Sequence, residues 1–114
     1  MAYFLDTLGL PYQCTSAKIL GNTIDKRVTK QFRKQHNIPV AQDKLVNLTQ
    51  ESPVFEYPCV IKALNQGSSV GVVICKTSEK FAEGIEQLKT YGTVMIEEFL
   101  EGSECTVPVL DNLE

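Results

Sequence analysis

The sequence predicts an α+β fold, a small and mostly antiparallel sheet covered by helices on one face. Three observations predict it. Apolar residues recur at helical spacing through Ile24, Val28 and Phe32, and again through Phe81, Ile85 and Leu88, as one face of an α-helix requires. Short apolar or alternating runs bounded by Gly and Pro, around residues 59–63, 72–76 and 93–99, have the length and flanks of strands. The first two runs are separated only by a Gly-bounded loop, Asn65 to Gly71, long enough for a hairpin and too short for the crossover that parallel strands need.

Taken in order, Ala2 to Leu8 is a short amphipathic helix stopped by Gly9, Leu10 and Pro11, since Gly accepts the left-handed cap and Pro cannot extend the helix. It has the look of the tail of a longer helix. A second helix runs from about Thr23 to Gln35, capped by Asn22 or Thr23 and ended by Asn37-Ile38-Pro39, because the residue before Pro leaves the helical region. Residues 40–53 are polar and read as mostly loop. In the first strand Cys59, Ile61 and Ala63 share one face and Val60 and Lys62 the other, with Pro58 where a strand can begin. After the loop, Val72 to Lys76 is a second strand, and Thr77 or Ser78 caps a helix that ends at Gly92. Thr93 to Phe99 is a third strand. Glu104 to Leu110 alternates again, but Pro108 makes it an edge strand or a crossing segment.

With 114 residues, 22% charged and roughly 46% apolar once Gly is counted and Tyr is not, the chain is ordinary for one globular domain and is not disordered, collagenous or a coiled coil. The net charge is −3, yet all 11 basic groups lie within residues 1–89 and the last 25 residues carry six acids and no base. Lys26, Arg27, Lys30, Arg33 and Lys34 fall within nine residues. With an acidic total and no reading module, nucleic acid is excluded as a partner, and most of the cluster reads as a solvated helix face. The longest apolar stretch, Val70 to Cys75, is far short of the ~18 residues of a membrane span, and the N-terminus has no export signal, so the expected location is cytoplasmic, with no membrane partner. Cys14, Cys59, Cys75 and Cys105 are spaced 45, 16 and 30 apart without a CxxC; they read as small apolar residues, not as disulfides or a zinc site. His36 ends a basic helix and reads as structural.

Two places carry chemistry. The loop Gln66-Gly67-Ser68-Ser69-Val70-Gly71 has glycines able to take positive φ, so that backbone N–H groups converge, and two hydroxyl donors at its tip. That is the composition of a phosphate cradle, although it is neither a Walker loop nor a GxGxxG, and taken alone it is more often the composition of a plain hairpin turn. Lys62, in the middle of an apolar strand just before the loop, costs desolvation unless an anion meets it, unless that sheet face is simply solvated. At the end of the third strand, Glu97-Glu98-Phe99-Leu100-Glu101-Gly102-Ser103-Glu104 concentrates carboxylates beside an aromatic, a set able to accept from an aminopurine edge or ribose hydroxyls, and also common at strand ends.

Together, Ile61-Lys62, Gly67-Ser68-Ser69-Val70-Gly71, and Ile96-Glu97-Glu98-Phe99-Leu100-Glu101-Gly102 through Glu104-Cys105-Thr106-Val107 resemble the D-alanine–D-alanine ligases, enzymes of the ATP-grasp class. Leu10-Pro11-Tyr12, Asp25-Lys26, Thr29-Lys30 and Ile38-Pro39-Val40 look like the same family, so the resemblance runs along nearly the whole chain. It implies the small subdomain of the ATP-grasp fold, with ATP as cofactor. It also implies that Lys26 and Lys62 contact the phosphates under the Gly67 to Gly71 loop, Val70 included, with Ser69 facing phosphate and Ser68, a catalytic position, facing D-alanine. Glu97, Phe99 and Leu100 would line the adenine site and Glu104 would hold the ribose. The family reaction uses Mg2+, whose ligands would lie outside this chain, and no metal ligand is assigned here. Two departures bear on substrate choice: Ala63 where the family usually has Pro, and Gln66 where an acid often precedes the Gly-Ser-Ser tip.

Family members are several times longer. The resemblance therefore implies an incomplete ligase, inactive by itself, with residues 1–22 the tail of a preceding substrate domain, residues 23–112 the ATP-binding lobe, and Leu113-Glu114, like Met1-Ala2, compatible with cloning scars. D-alanine is the implied substrate, the missing N- and C-terminal domains are the implied partners, and the parent is expected to be able to pair as a homodimer. Another ATP-grasp carboxylate–amine ligase, or a non-catalytic nucleotide-binding or interaction module, are the alternative expectations.

Overall fold

The structure, a computed structural model, describes residues 2–13 and 15–108. Cys14, the end of the expected last strand at residues 109–110, and the terminal pairs' Met1 and Leu113-Glu114 lie outside the described residues. Three helices come first: α1 (Ala2–Thr7), α2 (Ala17–Ile24) and α3 (Lys26–Gln35). Gly9 closes α1 at φ +63°, with Gly9 N–H donating to Asp6 O at 3.1 Å and Leu10 N–H to Leu5 O at 3.0 Å, the paired bonds of a left-handed cap.

The helix expected from Thr23 to Gln35 starts instead at Lys26, and Thr23-Ile24 end a separate helix, α2, that the sequence pattern does not announce. Asp25 separates the two with extended backbone, φ −84° and ψ 113°, and its carboxylate accepts from Arg27 N–H at 2.9 Å as the N-cap of α3. Asp is a better cap than the Asn22 or Thr23 that periodicity suggests, because its carboxylate also meets the positive end of the helix dipole. At the far end Asn37 takes φ +56°, and Ile38 N–H returns to Arg33 O at 3.0 Å. The row Ile24, Val28 and Phe32 points outward, with Phe32 57% exposed, stacked on the His36 ring at 4.2 Å between centroids. The lysines Lys26 and Lys30 point in.

Four strands form one antiparallel sheet in the order β1-β4-β2-β3: β1 (Asp43–Asn47), β2 (Cys59–Ala63), β3 (Val72–Cys75) and β4 (Thr93–Glu98). β2 and β3 make the expected hairpin. β1 falls inside the stretch expected to be loop. Only Leu45 and Val46 in it are apolar, and it is an edge strand held by backbone pairing to β4, which needs no alternation. Glu104 to Pro108 is not a strand and is exposed; Pro108 lacks the N–H that a ladder needs.

One sheet face carries the core: Val46, Ile61, Val73, Val94 and Ile96, with Cys59 and Cys75, meet Phe81 and Leu88 of α4 (Ser78–Leu88). Thr77 caps α4 by accepting from Lys80 N–H at 3.3 Å. Gly84 lets the helix approach, because a Cβ there would lie 3.1 Å from both Ile61 and Val73. Thus α4 supplies the expected helical cover of the apolar face. On the opposite face α3 is attached by lysine ion pairs to β1 and β4. Among the described residues no helix is long and apolar enough to cross a membrane.

Candidate functional site

The face opposite the core is where the sheet alternation puts Lys62 and Glu97. Lys62 is paired with Met95 across β2 and β4, which makes Glu97 its diagonal neighbour, within reach of a long side chain. The Lys62 ammonium meets Glu97 Oε2 at 2.6 Å. Directly opposite Glu97 on the other side stands Asp43 of β1, a like-charge pair that would oppose strand pairing. Lys30 resolves it: reaching down from α3, its ammonium lies 3.0 Å from Asp43 Oδ1 and 3.1 Å from Glu97 Oε1, and donates to Ala41 O at 2.7 Å. Burial works to raise the Asp43 carboxyl, but Lys30 and Lys34 outweigh it and hold the group below its ordinary value of 3.8.

Lys26 sits at the start of α3 and crosses to the base of the Gly-Ser loop, donating to Ala63 O at 2.9 Å, Leu64 O at 3.3 Å and Gln66 O at 2.6 Å. Burial lowers its pKa, and the positive charge of Lys62 lowers it further, against the opposing pull of Glu97. Lys26 and Lys62 thus line the same cleft. The cleft, about 470 Å³, is walled by Lys26, Lys62 and Glu97, with Gly67, Ser68 and Ser69 on the loop side. Phe99, Leu100 and Glu104 close its other side. Nine of the eleven residues picked out from sequence are thus brought together. Val70 and Gly71 are not on its wall: Val70 is 52% exposed, and Gly71 closes the hairpin.

The loop is shaped differently from the expectation that both glycines turn it. Gly71 does so at φ +68°, but Ser68 at φ +51° and Ser69 at φ +62° take the left-handed turn at the tip, and Gly67 does not. Gly71 is needed for a second reason: a Cβ there would lie 2.7 Å from the Ala63 Cβ, and its carbonyl accepts from Ala63 N–H at 2.7 Å. A Pro at position 63 would have no proton to give that bond.

Sequence reasoning missed the apolar floor of the cleft, Val60, Val72 and Ile74. The signal was present, since these residues share the Lys62 face by simple alternation. It also missed Lys30 and Asp43. The basic cluster read as solvated is divided: Arg27 and Lys34 are exposed, while Lys30 has only 12% of its side chain exposed. Helical spacing places Lys30 one turn beyond Lys26, on the same side. Glu98 belongs to the other sheet face, where its carboxylate accepts from Gln42 N–H at 2.8 Å.

Cys59 and Cys75 are free and face each other across β2 and β3. Burial pushes the Cys59 thiol up to about 11 and raises Cys75 as well, so both are inert apolar fillers at neutral pH. Among the described residues no three His, Cys, Asp or Glu side chains are grouped to hold a metal. The described residues therefore hold no ready-made three-ligand cage for Mg2+.

A four-stranded antiparallel sheet whose hairpin loop overhangs a lysine-bearing face defines the small subdomain of an ATP-grasp protein. A solved structure of D-alanine–D-alanine ligase from Bacillus anthracis superposes with a TM-score of 0.75 at 25% identity, covering 89% of this chain and 35% of that one. The ligase from Helicobacter pylori gives a TM-score of 0.72 at 24% identity over 89% of this chain and 32% of that one, a likeness of fold. Among curated proteins, D-alanine–D-alanine ligase from Haemophilus influenzae is 36% identical over 121 aligned residues, 98% of this chain and 41% of the relative. That of Halalkalibacterium halodurans is 34% identical over 114, 95% of this chain and 37% of the relative. The family model described as "D-ala D-ala ligase C-terminus" matches residues 27–114, and the chain belongs to that family. It spans little more than a third of the length of the curated relatives it matches.

Proposed function

We propose that this chain is the ATP-binding lobe of a D-alanine–D-alanine ligase and does not catalyse ligation by itself. The observation that carries the reading is that Lys26 and Lys62 line one apolar-floored cleft with Gly67, Ser68 and Ser69 of the loop above them. An anion in that cleft meets both cations, and Val60, Val72 and Ile74 offer a flat apolar bed for a purine. In this reading Lys26, Lys62 and Ser69 hold the phosphates, aided by the backbone N–H of Gly67, while Val70 and Gly71 shape the loop that covers them. Ser68 faces D-alanine, Glu97, Phe99 and Leu100 border the adenine, and Glu104 takes the ribose hydroxyls.

Ligation activates one D-alanine carboxylate by phosphorylation and joins it to the amine of a second; this lobe contributes positioning and electrostatic complementarity. The Mg2+ that phosphoryl transfer calls for would be held by residues outside the described ones. Residues 1–22 serve as the tail of a preceding domain and residues 23–112 as the lobe. Pairing of the parent as a homodimer and a cytoplasmic location belong to the same reading.

The test is kinetic. In the protein as its own gene expresses it, Lys62→Ala should lower kcat/KM for ATP by about 100-fold or more, the scale seen when an electrostatic contact to the reacting group is lost. Unchanged kinetics would remove Lys62 from the phosphates. D-alanyl-D-alanine made from ATP by the isolated 114-residue chain would contradict the incomplete-lobe reading.

A further inference from the structure

We propose that Lys30 is a positioning residue of the nucleotide cleft: by holding one oxygen of Glu97, it fixes the carboxylate that in turn aims the Lys62 ammonium into the cleft. The inference rests on the nucleotide reading above and adds a residue which that reading does not use. Glu97 is buried, 7% exposed, and both of its oxygens are occupied by cations from different elements: Oε1 by Lys30 of α3 at 3.1 Å, and Oε2 by Lys62 of β2 at 2.6 Å. A carboxylate held at one oxygen only is free to turn about its terminal torsion, which has broad minima. Held at both, it has one orientation.

Lys30 is itself fixed. Its ammonium donates to Ala41 O at 2.7 Å and lies in ion-pair contact with Asp43 at 3.0 Å and Glu97 at 3.1 Å. The chain of contacts therefore runs from the β1 edge, through a helix side chain, to the central strand and then to the cleft lysine. Without Lys30, Glu97 would face Asp43 across the strand pair with no cation shared by the two, only the exposed Lys34 remaining on Asp43. It would be driven toward Lys62, drawing that ammonium away from the cleft.

The variant is Lys30→Met, which keeps the aliphatic stem and removes the charge, tested in the protein as its gene expresses it. Steady-state kinetics with ATP and D-alanine varied separately are joined by direct MgATP titration and a thermal melt. The expected result is a KM and Kd for ATP raised about tenfold or more, as misplacement of a binding group produces, with the KM for D-alanine within about twofold. Lys30→Arg should recover most of the ATP affinity. Lys34→Met, which removes the other cation from Asp43, should leave both constants in place.

A loosened fold would instead move both KM values together and leave Lys30→Arg no better than Lys30→Met, and that outcome overturns the inference. So does an unchanged ATP KM. If Lys30→Met does not fold, Asp43→Asn decides, because it frees Lys30 from the far side: a selective rise in the ATP KM supports the inference and no rise overturns it. Failure of the unsubstituted protein to bind ATP at all would sink the nucleotide reading itself and this inference with it.

Discussion

Asp43 and Glu97 face each other across β1 and β4 with Lys30 between them, and this gives the acid side of the stability curve a specific cause. The folded Asp43 carboxyl lies below its ordinary 3.8, because Lys30 and Lys34 outweigh burial. A depressed acid stabilises the fold above its unfolded pKa and loses that contribution as pH falls through the folded one. Asp43→Asn should therefore be less stable than the unsubstituted chain near neutrality. The gap should close as pH drops below 3.8, read as urea midpoints taken from about pH 7 down to about pH 3. A gap that stays constant with pH would mean that the carboxylate charge does not stabilise the fold. The same pairing marks a limit of sequence reading. Lys62 was conspicuous alone in an apolar strand, but Lys30 was one base among five on a helix whose apolar row suggested the opposite orientation. Only the strand register shows two acids in need of a cation.

Among the elements, the hairpin is the most constrained. Gly71 combines φ +68° with a Cβ position only 2.7 Å from Ala63, so Gly71→Ala should cost about 2–5 kcal/mol in denaturant unfolding, summing left-handed strain and overpacking. A neutral Gly71→Ala would mean that the loop re-forms with a different turn. The hairpin, α4 with its Thr77 cap, and β4 were all legible because each announces itself locally, through period, cap or breaker. The edge strand β1 was not, since what makes it a strand is the free side of β4, some fifty residues away. The Asp25 break was missed for a related reason: helical periodicity runs smoothly across it, and only the cap chemistry distinguishes two helices from one.

At the scale of the whole molecule, the sheet has two faces with different tasks: one carries the core against α4, and the other carries charge. The site was legible as a set of residue types and as an order along the chain, while its depth and floor required the fold. The outward row Ile24, Val28 and Phe32 has no cover from the described residues. On the proposed reading this row meets the rest of a larger protein, and the native product isolated from its source cells should have an intact mass several times 12.7 kDa. A native product of 12.7 kDa would assign this fold a role other than ligation.

The Ala63 N–H to Gly71 O bond has a consequence for how often the hairpin loop stands away from the sheet. Any lifted arrangement must break that bond first. A net contribution of about 1 kcal/mol from one hydrogen bond shifts such an equilibrium roughly fivefold toward the closed side. In this chain the resting population is already biased toward closure, and the bias is applied one residue from Lys62.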